Sequence, residues 1–435
     1  MRNSKPRRDS QRRLTKRQGP GISVILPVAL LLSLLLASCT VVVSKPHTAP
    51  PSDALSEPVG TADEPVVFAP EQTPAPEPPA PTEAELLAER AEAILSEMSP
   101  EEKAWQMMIV YPEAIAGTSP VTAAGDALRQ ALEDCPVGGF LLDKKNLQSV
   151  SQVTGLLAAV QTFAKIPLIL TCDEEGGRVN RLMSTVGTTR IGPMLRYKDE
   201  GPDAAFSNAE TIASDLRSCG FNMDLAPVAD VWSNPKNTVI GDRAYSDDFQ
   251  QAAQLIAAAV EGFHAGGVAA TLKHFPGHGN TSADSHYGAV YVDRTLDELR
   301  AGELLPFQAG VDAGADAVMI GHLIVSGIDS EPAPFSYQIV TELLRGEMGF
   351  DGVVMTDGLQ MQAMTDHYSS AEIAVKAVKA GVDMLLCPLD VHAAVRALMD
   401  AVDSGEITEE RLDESVRRVL TMKLKNNIFP QQPET

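Results

Sequence analysis

The densest group of chemically competent side chains lies at positions 273–286. This stretch reads Lys-His-Phe-Pro-Gly-His-Gly-Asn-Thr-Ser-Ala-Asp-Ser-His and combines one cation, three imidazoles and one carboxylate. His274, His278 and His286 with Asp284 could bind a metal ion, or Asp284 could orient the His286 ring so that it transfers protons. The spacing does not choose between these, because histidines separated by three and seven residues match no common zinc pattern. His278, between two glycines, also fits a role in capping the turn.

Other polar residues stand where apolar runs end. They are Asp143, Asp173 with Glu174, Asp230, Lys273 with His274, His322 and Asp357. At one edge of a parallel sheet, carboxylates and cations together can bind the hydroxyl groups of a substrate, and a carboxylate can also act as a nucleophile. A lone Asp such as Asp357 could also cap a helix, and His322 reads equally well as a buried, hydrogen-bonded histidine.

Eight apolar runs could form the strands that position these residues. They are 105–111, 137–143, 166–173, 221–230, 268–274, 316–322, 352–357 and 382–388. Each run is continuously apolar rather than alternating, which predicts strands buried on both faces of a parallel sheet. If such strands close into a barrel, the active site is expected at the carboxyl ends of the strands.

Helical patterns separate the strand candidates. They include 147–164, 202–217, 248–264, 295–313 and 371–380, with 409–425 as a closing helix. A helix is also expected at 83–98, and Ser99-Pro100-Glu101-Glu102 has the signature of a further helix start. Eight strand and helix repeats predict an α/β protein, a (β/α)8 TIM-type barrel forming a single catalytic domain. No G-x-G-x-x-G follows the first strand, so a dinucleotide-binding sheet is disfavoured.

The first 81 residues differ in composition from the rest. Residues 1–17 hold eight Lys or Arg and one acid, an apolar stretch follows at 22–37, and Leu36-Ala37-Ser38-Cys39 comes next. This order predicts a lipoprotein signal peptide over 1–39 that ends in a lipobox, with Cys39 acylated. An uncleaved membrane anchor is the alternative, but about 16 apolar residues interrupted by Pro27 are short for a span of roughly 20.

Residues 40–81 are rich in Pro, Ala, Glu, Ser and Thr, which predicts a disordered linker before a barrel domain at 82–430. The protein would then be extracytoplasmic and lipid-anchored to the cell membrane. Its formal charge of −23, despite the basic start, disfavours nucleic acid as a partner. The remaining cysteines are widely spaced, and we expect no disulfide framework among Cys135, Cys172, Cys219 and Cys387.

The stretch at 273–286 resembles the signature of the β-N-acetylglucosaminidases of glycoside hydrolase family 3, the group of bacterial peptidoglycan-recycling N-acetylhexosaminidases. Four further segments resemble family motifs in the expected order. They are Asp173-Glu174-Glu175-Gly176-Gly177-Arg178-Val179, Leu225-Ala226-Pro227-Val228-Ala229-Asp230, Ile240-Gly241-Asp242-Arg243 and Gly352-Val353-Val354-Met355-Thr356-Asp357-Gly358-Leu359. The sequence departs from the family at Glu174, where Gln is common, and at Gly358, where many relatives carry a larger residue.

The resemblance implies roles for individual residues. Asp357 would be the nucleophile that forms a covalent glycosyl-enzyme and retains the anomeric configuration. His286, held by Asp284, would replace the usual carboxylic acid as acid/base. Asp173, Arg243, Lys273 and His274 would bind the sugar, although the same four residues could instead form a salt-bridge network around the barrel mouth, Arg243 by pairing with Asp242.

The resemblance thus implies hydrolysis of terminal β-linked N-acetylglucosamine from muropeptides or chitooligosaccharides, without a cofactor or a metal ion. The partners are an N-acetylglucosamine-containing glycan and the membrane. Because an imidazole lacks the fixed charge of Glu, phosphate could replace water as the acceptor. The alternatives are a family 3 β-glucosidase or β-xylosidase, a metal-dependent hydrolase that uses the histidines, and a sugar-binding lipoprotein. The Asp284/His286 pair favours the N-acetylglucosaminidase branch over the first of these.

Overall fold

The strands seen in the structure are short and mostly parallel. The computed structural model describes residues 81–281 and 290–429. The strands are β1 (Met108–Val110), β2 (Gly139–Leu141), β3 (Ile169–Cys172), β4 (Met223–Asp224), β5 (Ala269–Phe275), β6 (Val290–Thr295), β7 (Ala317–Ile320), β8 (Leu323–Gly327), β9 (Val353–Thr356) and β10 (Leu385–Leu386). Eight of them form one parallel sheet in the order β10, β1, β2, β3, β4, β5, β7, β9. A parallel bridge between Met355 and Met384 brings the two edges of this sheet together, so the barrel is nearly closed.

Helices surround the sheet. They are α1 (Glu83–Ser96), α2 (Pro100–Gln106), α3 (Glu113–Ala116), α4 (Asp126–Asp134), α5 (Val150–Phe163), α6 (Leu182–Thr185), α7 (Tyr197–Glu200), α8 (Pro202–Cys219), α9 (Phe249–Ala265), α10 (Leu296–Ala301), α11 (Leu304–Asp312), α12 (Gln362–Thr365), α13 (Ser370–Ala380), α14 (Val391–Asp403) and α15 (Glu409–Lys425). Short 3-10 turns lie at Lys144–Asn146, Met194–Arg196, Gly241–Arg243 and Ala333–Phe335, and a π-helix lies at Gln338–Glu347. The predicted (β/α)8 TIM-type fold is confirmed.

The barrel interior is filled by apolar side chains from alternate positions of the strands. They include Ile109, Leu141, Ile169, Met223, Leu225, Ala269, Met319, Val353, Met355 and Leu386, all buried. The intervening strand residues, such as Leu170 and Val318, belong to the larger cluster beneath the helices. Both faces of each barrel strand are therefore buried, which explains why the sequence shows continuous apolar runs rather than alternation in these strands.

Helix starts follow the capping signals of the sequence. Thr82 caps α1 by a reciprocal capping box with Glu85, and Ser99 caps α2 in the same way with Glu102. The helix predicted at 295–313 is interrupted. Thr295 caps α10, which ends before Gly302, and α11 begins at Leu304. A Cβ on Gly302 would contact the ring of Phe249, so this break lies where the backbone approaches α9 closely.

A second, two-stranded parallel sheet pairs β6 with β8 and was not predicted. Its first strand, β6, begins at Val290, shortly after Asp284 and His286 in the sequence. Asp284, His286 and Cys39 themselves lie outside the described residues. The signal peptide, the linker and the lipid anchor therefore stay predictions.

The closing helix α15 has the predicted bounds and covers the amino ends of the strands. Its Val419 and Met422 join the cluster inside the barrel. Within residues 81–281 and 290–429, no helix is long and apolar enough to cross a bilayer. The four cysteines of the described region are buried free thiols.

Candidate active site

A cavity of about 290 Å³ opens at the carboxyl ends of the barrel strands. Each barrel strand, or the residue that follows it, contributes to its lining through Tyr111, Leu141, Asp173, Leu225, Lys273, Met319, Asp357 and Leu386. Leu141, Leu225, Met319 and Leu386 also belong to the apolar filling of the barrel. The cavity therefore has an apolar floor with charged side chains around it, an arrangement suited to a sugar ring and its hydroxyl groups.

Lys273, on β5, joins two carboxylates that follow β3. Its Nζ donates to Asp173 Oδ1 at 2.8 Å and lies 2.6 Å from Glu175 Oε1. Only 2% of the Lys273 side chain is exposed. Burial alone would lower the pKa of Lys273, but Asp173 and Glu175 outweigh it and raise that pKa, so the amine carries its charge at neutral pH.

Glu175 holds Arg243 in a bidentate ion pair. Arg243 Nε and Nη2 donate to the two Glu175 oxygens at 2.7 and 2.8 Å. Although burial opposes ionisation, Arg243 and Lys273 hold the pKa of Glu175 far below its usual range. The suspected pair between Arg243 and Asp242 does not form. Asp242 instead pairs with Arg178, and its Oδ1 lies 3.0 Å from Arg178 Nε. Asp173, Lys273 and Arg243 thus take part in salt bridges around the barrel mouth, and all three side chains also line the cavity.

His274 is oriented by a buried carboxylate. Its Nδ1 lies 2.7 Å from Asp230 Oδ2, and Asp230 Oδ1 accepts the backbone N–H of His278 at 2.6 Å. Burial would raise the pKa of Asp230, but its contacts with His274 and His278 lower it. With Asp230 ionised, Nδ1 of His274 acts as the donor, which fixes the ring that lines the cavity.

Asp357 follows β9 and faces the same cavity. Its Oδ1 accepts the backbone N–H of Gly358 at 2.6 Å. Burial alone would raise its pKa, but His274, His322 and the Gly358 N–H together lower it. The carboxylate is therefore ionised at neutral pH. The helix-cap alternative is wrong, because α12 begins only at Gln362 and Met361 occupies its N-cap position.

The other two histidines of the described region near Asp357 make internal hydrogen bonds. His322 is buried, and its Nε2 lies 3.0 Å from the carbonyl oxygen of Gly358. His278 Nδ1 lies 2.9 Å from Thr281 Oγ1, and burial lowers the pKa of His278. Hydrogen bonds within the protein therefore orient both rings, and the bond between His278 and Thr281 fits the role expected for His278 in the turn.

Among the described residues, no group of three or more His, Cys, Asp or Glu side chains is arranged to hold a metal ion. His286 and Asp284 are outside that region, so a site that includes them stays an alternative from the sequence.

Several cavity residues were not singled out from the sequence as site residues. Glu175 lies in the family-like segment at 173–179, whereas no local sequence pattern marks Tyr111 or Arg181 as site residues. Arg181 Nη2 donates to Asp173 Oδ2 at 2.9 Å.

Glu174, where the sequence departs from the family, has a structural role. Its carboxylate accepts the backbone N–H groups of residues 181–183 at 2.6, 2.7 and 3.0 Å.

Comparison with known proteins agrees with the resemblance found in the sequence. Residues 100–422 match the family described as the glycosyl hydrolase family 3 N terminal domain. The chain is 33% identical over 335 residues to beta-hexosaminidase A of Pseudoalteromonas piscicida, covering 70% of this chain and 56% of that protein. It is 43% identical over 243 residues to a beta-hexosaminidase of Stenotrophomonas maltophilia, covering 54% of this chain and 71% of the relative.

A solved structure of a glycoside hydrolase family 3 beta-N-acetylglucosaminidase from a Paenibacillus species superposes with a TM-score of 0.72 at 37% identity. The match covers 78% of this chain and 64% of that one. The chain thus spans a little over half of the first relative and about two thirds of this structure. With a family match over most of its length and a barrel of the same form, the chain belongs to glycoside hydrolase family 3.

Proposed function

We propose that this protein is a retaining β-N-acetylhexosaminidase that releases terminal β-linked N-acetylglucosamine through a covalent glycosyl-Asp357 intermediate. The observation that carries the proposal is the position of the Asp357 carboxylate, which lines the cavity across from Asp173. The strands that precede these residues, β9 and β3, are four positions apart in an eight-stranded ring and hence on opposite sides. A sugar ring spanning the mouth would present its anomeric carbon at Asp357 and its far hydroxyl groups at Asp173.

The charged residues around the cavity support binding of a sugar. Asp173 supplies acceptor oxygens, while Lys273 and Arg243 supply donors that are held in fixed positions by Glu175. Arg243 uses Nε, Nη1 and Nη2 in internal bonds, which leaves two of its five N–H groups for a ligand. Such preorganised groups lower the entropy cost of holding a substrate in a reactive position.

The acid/base role is proposed for His286, oriented by Asp284, on the basis of the sequence motif. An imidazole with a pKa near neutrality can protonate the leaving oxygen and then deprotonate the incoming acceptor. The names of the relatives, beta-hexosaminidase and beta-N-acetylglucosaminidase, support N-acetylglucosamine as the sugar. That sugar is thus preferred over the glucose or xylose of the rival family 3 activities.

Short glycan ends, from muropeptides or chitooligosaccharides, are the proposed substrates. A cleft for a long polysaccharide commonly stacks sugar rings on tryptophan. The chain has two tryptophans, and neither Trp105 nor Trp232 lines the cavity. Trp105 is buried near the opposite end of the barrel, and Trp232 donates its Nε1–H to the carbonyl oxygen of Asn237.

The proposed location is extracytoplasmic, with a lipid on Cys39 and the linker at 40–81 between membrane and barrel. Metabolic labelling with radioactive palmitate should mark the wild-type protein and leave a Cys39→Ala variant unmarked. Label in the variant, or none in the wild type, would contradict the lipid anchor. This outcome is independent of the catalytic proposal.

The catalytic proposal is tested with nitrophenyl β-glycosides and three proteins. The wild type should prefer the N-acetylglucosaminide, and Asp357→Ala should lose at least about a thousandfold in kcat. Asp351→Ala is the matched control, because this exposed Asp precedes β9 at the other end of the barrel. Mass spectrometry of enzyme quenched with a slow fluorinated substrate should find the sugar on the peptide that contains Asp357. Near-full activity of Asp357→Ala would overturn the assignment.

Phosphate as the acceptor is a second candidate, because cations outnumber carboxylates among the described residues that line the cavity. Arg178, Arg181, Arg243 and Lys273 line it with Asp173, Glu175 and Asp357. This excess contrasts with a chain of formal charge −23. Formation of a sugar 1-phosphate in phosphate buffer would support phosphorolysis, and a turnover and product unchanged by phosphate would rule it out.

A further inference from the structure

We propose that Asp143, a residue outside the cavity lining, is a positioning residue that fixes the sugar-binding carboxylate Asp173 through Arg181. The inference rests on the proposed function of the cavity. Asp143 follows β2, and 42% of its side chain is exposed. It therefore acts on the site only through what it holds.

Arg181 is the link between the two carboxylates. Its Nε lies 2.7 Å from Asp143 Oδ1, and its Nη2 lies 2.9 Å from Asp173 Oδ2. The guanidinium is planar, so its two contacts fix the direction from which Asp173 is approached. The third nitrogen, Nη1, makes only a long contact of 3.4 Å with the carbonyl oxygen of Asn180.

The main chain of Arg181 is anchored independently of Asp143. Its backbone N–H donates to Glu174 Oε2 at 2.6 Å, and Glu174 directly follows Asp173. Loss of Asp143 therefore leaves the Arg181 backbone where it is and releases only the side chain. The effect of such a change should reach the site through the guanidinium alone.

Asp173 depends on this guanidinium for its orientation. One oxygen accepts from Lys273 and the other from Arg181, so each oxygen keeps lone-pair capacity for a ligand. Lys273 is buried and also pairs with Glu175, so its position does not depend on Asp143. The side chain of Arg181, in contrast, pairs with Asp143. Without Asp143, the guanidinium can rotate, and Asp173 loses its fixed second donor.

The contacts form one continuous series of alternating charges. It runs through Asp143, Arg181, Asp173, Lys273, Glu175 and Arg243. Lys273 and Glu175 are almost fully buried, Arg181 and Asp173 are each 22% exposed, and Asp143, at 42%, is the most exposed member and the outer end of the series. A change at the outer end tests the positioning of Asp173 without removing a group that touches the sugar.

A double-mutant cycle tests the proposal on 4-nitrophenyl N-acetyl-β-D-glucosaminide. Asp143→Asn should lower kcat/KM about three- to tenfold, mainly through KM, as expected for loss of a half-exposed charged contact. In an Asp173→Asn background, Asp143→Asn should have no further effect, because the group it positions is gone. Glu347→Gln is the matched control, since 43% of the Glu347 side chain is exposed and it holds Arg300 in a bidentate pair in which neither residue lines the cavity.

The outcomes separate this inference from the proposed function. Additive effects of Asp143→Asn and Asp173→Asn, or an Asp143→Asn effect no larger than that of Glu347→Gln, would overturn the positioning role. Melting temperatures of all variants identify a loss of folding as the cause. A wild type that cleaves none of the nitrophenyl glycosides would instead overturn the proposed function, and the inference with it.

Discussion

The two ends of the barrel use the same residue types for different purposes. At the amino ends of the strands, Asp316 accepts the backbone N–H of Ala270 at 3.0 Å and binds His264 and Lys425 at 2.8 and 2.9 Å. At the carboxyl ends, Asp173 and Asp357 line a cavity. Buried carboxylates beside cations occur at both ends, so their presence alone does not indicate a catalytic site.

The difference lies in what the charges contact. Asp383, at the amino end, accepts the backbone N–H of Val354 at 2.9 Å and the hydroxyl of Ser415 at 2.8 Å, and lies beside three arginines, Arg345, Arg411 and Arg418. These contacts tie the start of β9 to α15 and the π-helix. At the carboxyl end, Asp173, Lys273 and Arg243 keep unused hydrogen-bonding capacity that faces the cavity. Substitutions at the two ends should accordingly separate stability from activity.

The largest effect on stability is expected for Asp383→Ala at the amino end. Three arginines would lose a carboxylate whose side chain is fully buried, and removing one partner of a buried ion pair costs about 3 to 5 kcal/mol. Urea unfolding should show this loss, while kcat/KM at low temperature stays within about twofold of the wild type. A large fall in kcat/KM of the folded variant would show that the amino end also serves the reaction.

A stabilising change is expected at the same end. Lys423 is fully buried, its Nζ donates to Gln106 Oε1 at 2.8 Å, and burial lowers the pKa of Lys423 to about 7. Lys423→Met removes a poorly compensated amine and should raise the free energy of unfolding at pH 7 by about 1 to 3 kcal/mol. An unchanged or lower free energy would mean that the bond to Gln106 outweighs the cost of burial.

The pH dependence gives a sharper test of Lys423. Its pKa is lower in the folded than in the unfolded state, so the unfolded state binds more protons between about pH 7 and 10. This group makes wild-type stability rise with pH in that window. The advantage of Lys423→Met over the wild type should therefore shrink from pH 7 to pH 10, measured by urea unfolding at several pH values. A constant difference would contradict the lowered pKa.

The sequence predicted the barrel because the relevant signals are local. Each of the eight apolar runs overlaps a barrel strand, and the capping residues Thr82, Ser99 and Thr295 begin helices. The position of Asp357 follows from the same logic, since a residue just after a strand lies at the carboxyl end. The pairing of β6 with β8 was missed because the strand pattern alone does not specify which distant segment a short strand joins.

Partners within the site could not be predicted, because they join residues far apart in the chain. Arg243 was suspected to pair with its neighbour Asp242, but its partner Glu175 is 68 positions away. The bond between His274 and Asp230 spans 44 positions. Glu175, Asp230 and Arg243 follow or separate strands at the barrel mouth, and His274 lies on β5, so only the folded barrel brings each pair together. The roles proposed for Asp284 and His286 still rest on the sequence.

The smallest predicted effect concerns the pH profile at the catalytic end. Asp357 would act as a carboxylate, and His274 is the strongest of the contacts that lower its pKa. His274→Gln should raise that pKa and move the acid limb of the kcat profile to higher pH.

His392→Gln is the control for this shift, because His392 does not line the cavity. Its ring packs against that of Trp105, with 5.3 Å between the ring centroids. The absolute rate of His274→Gln should also fall, since His274 is proposed to bind the sugar, so the position of the limb is the informative quantity. An unmoved limb would mean that Asp357 owes its low pKa to His322 and the Gly358 N–H. A limb moved to lower pH would mean that the group titrating there is not Asp357.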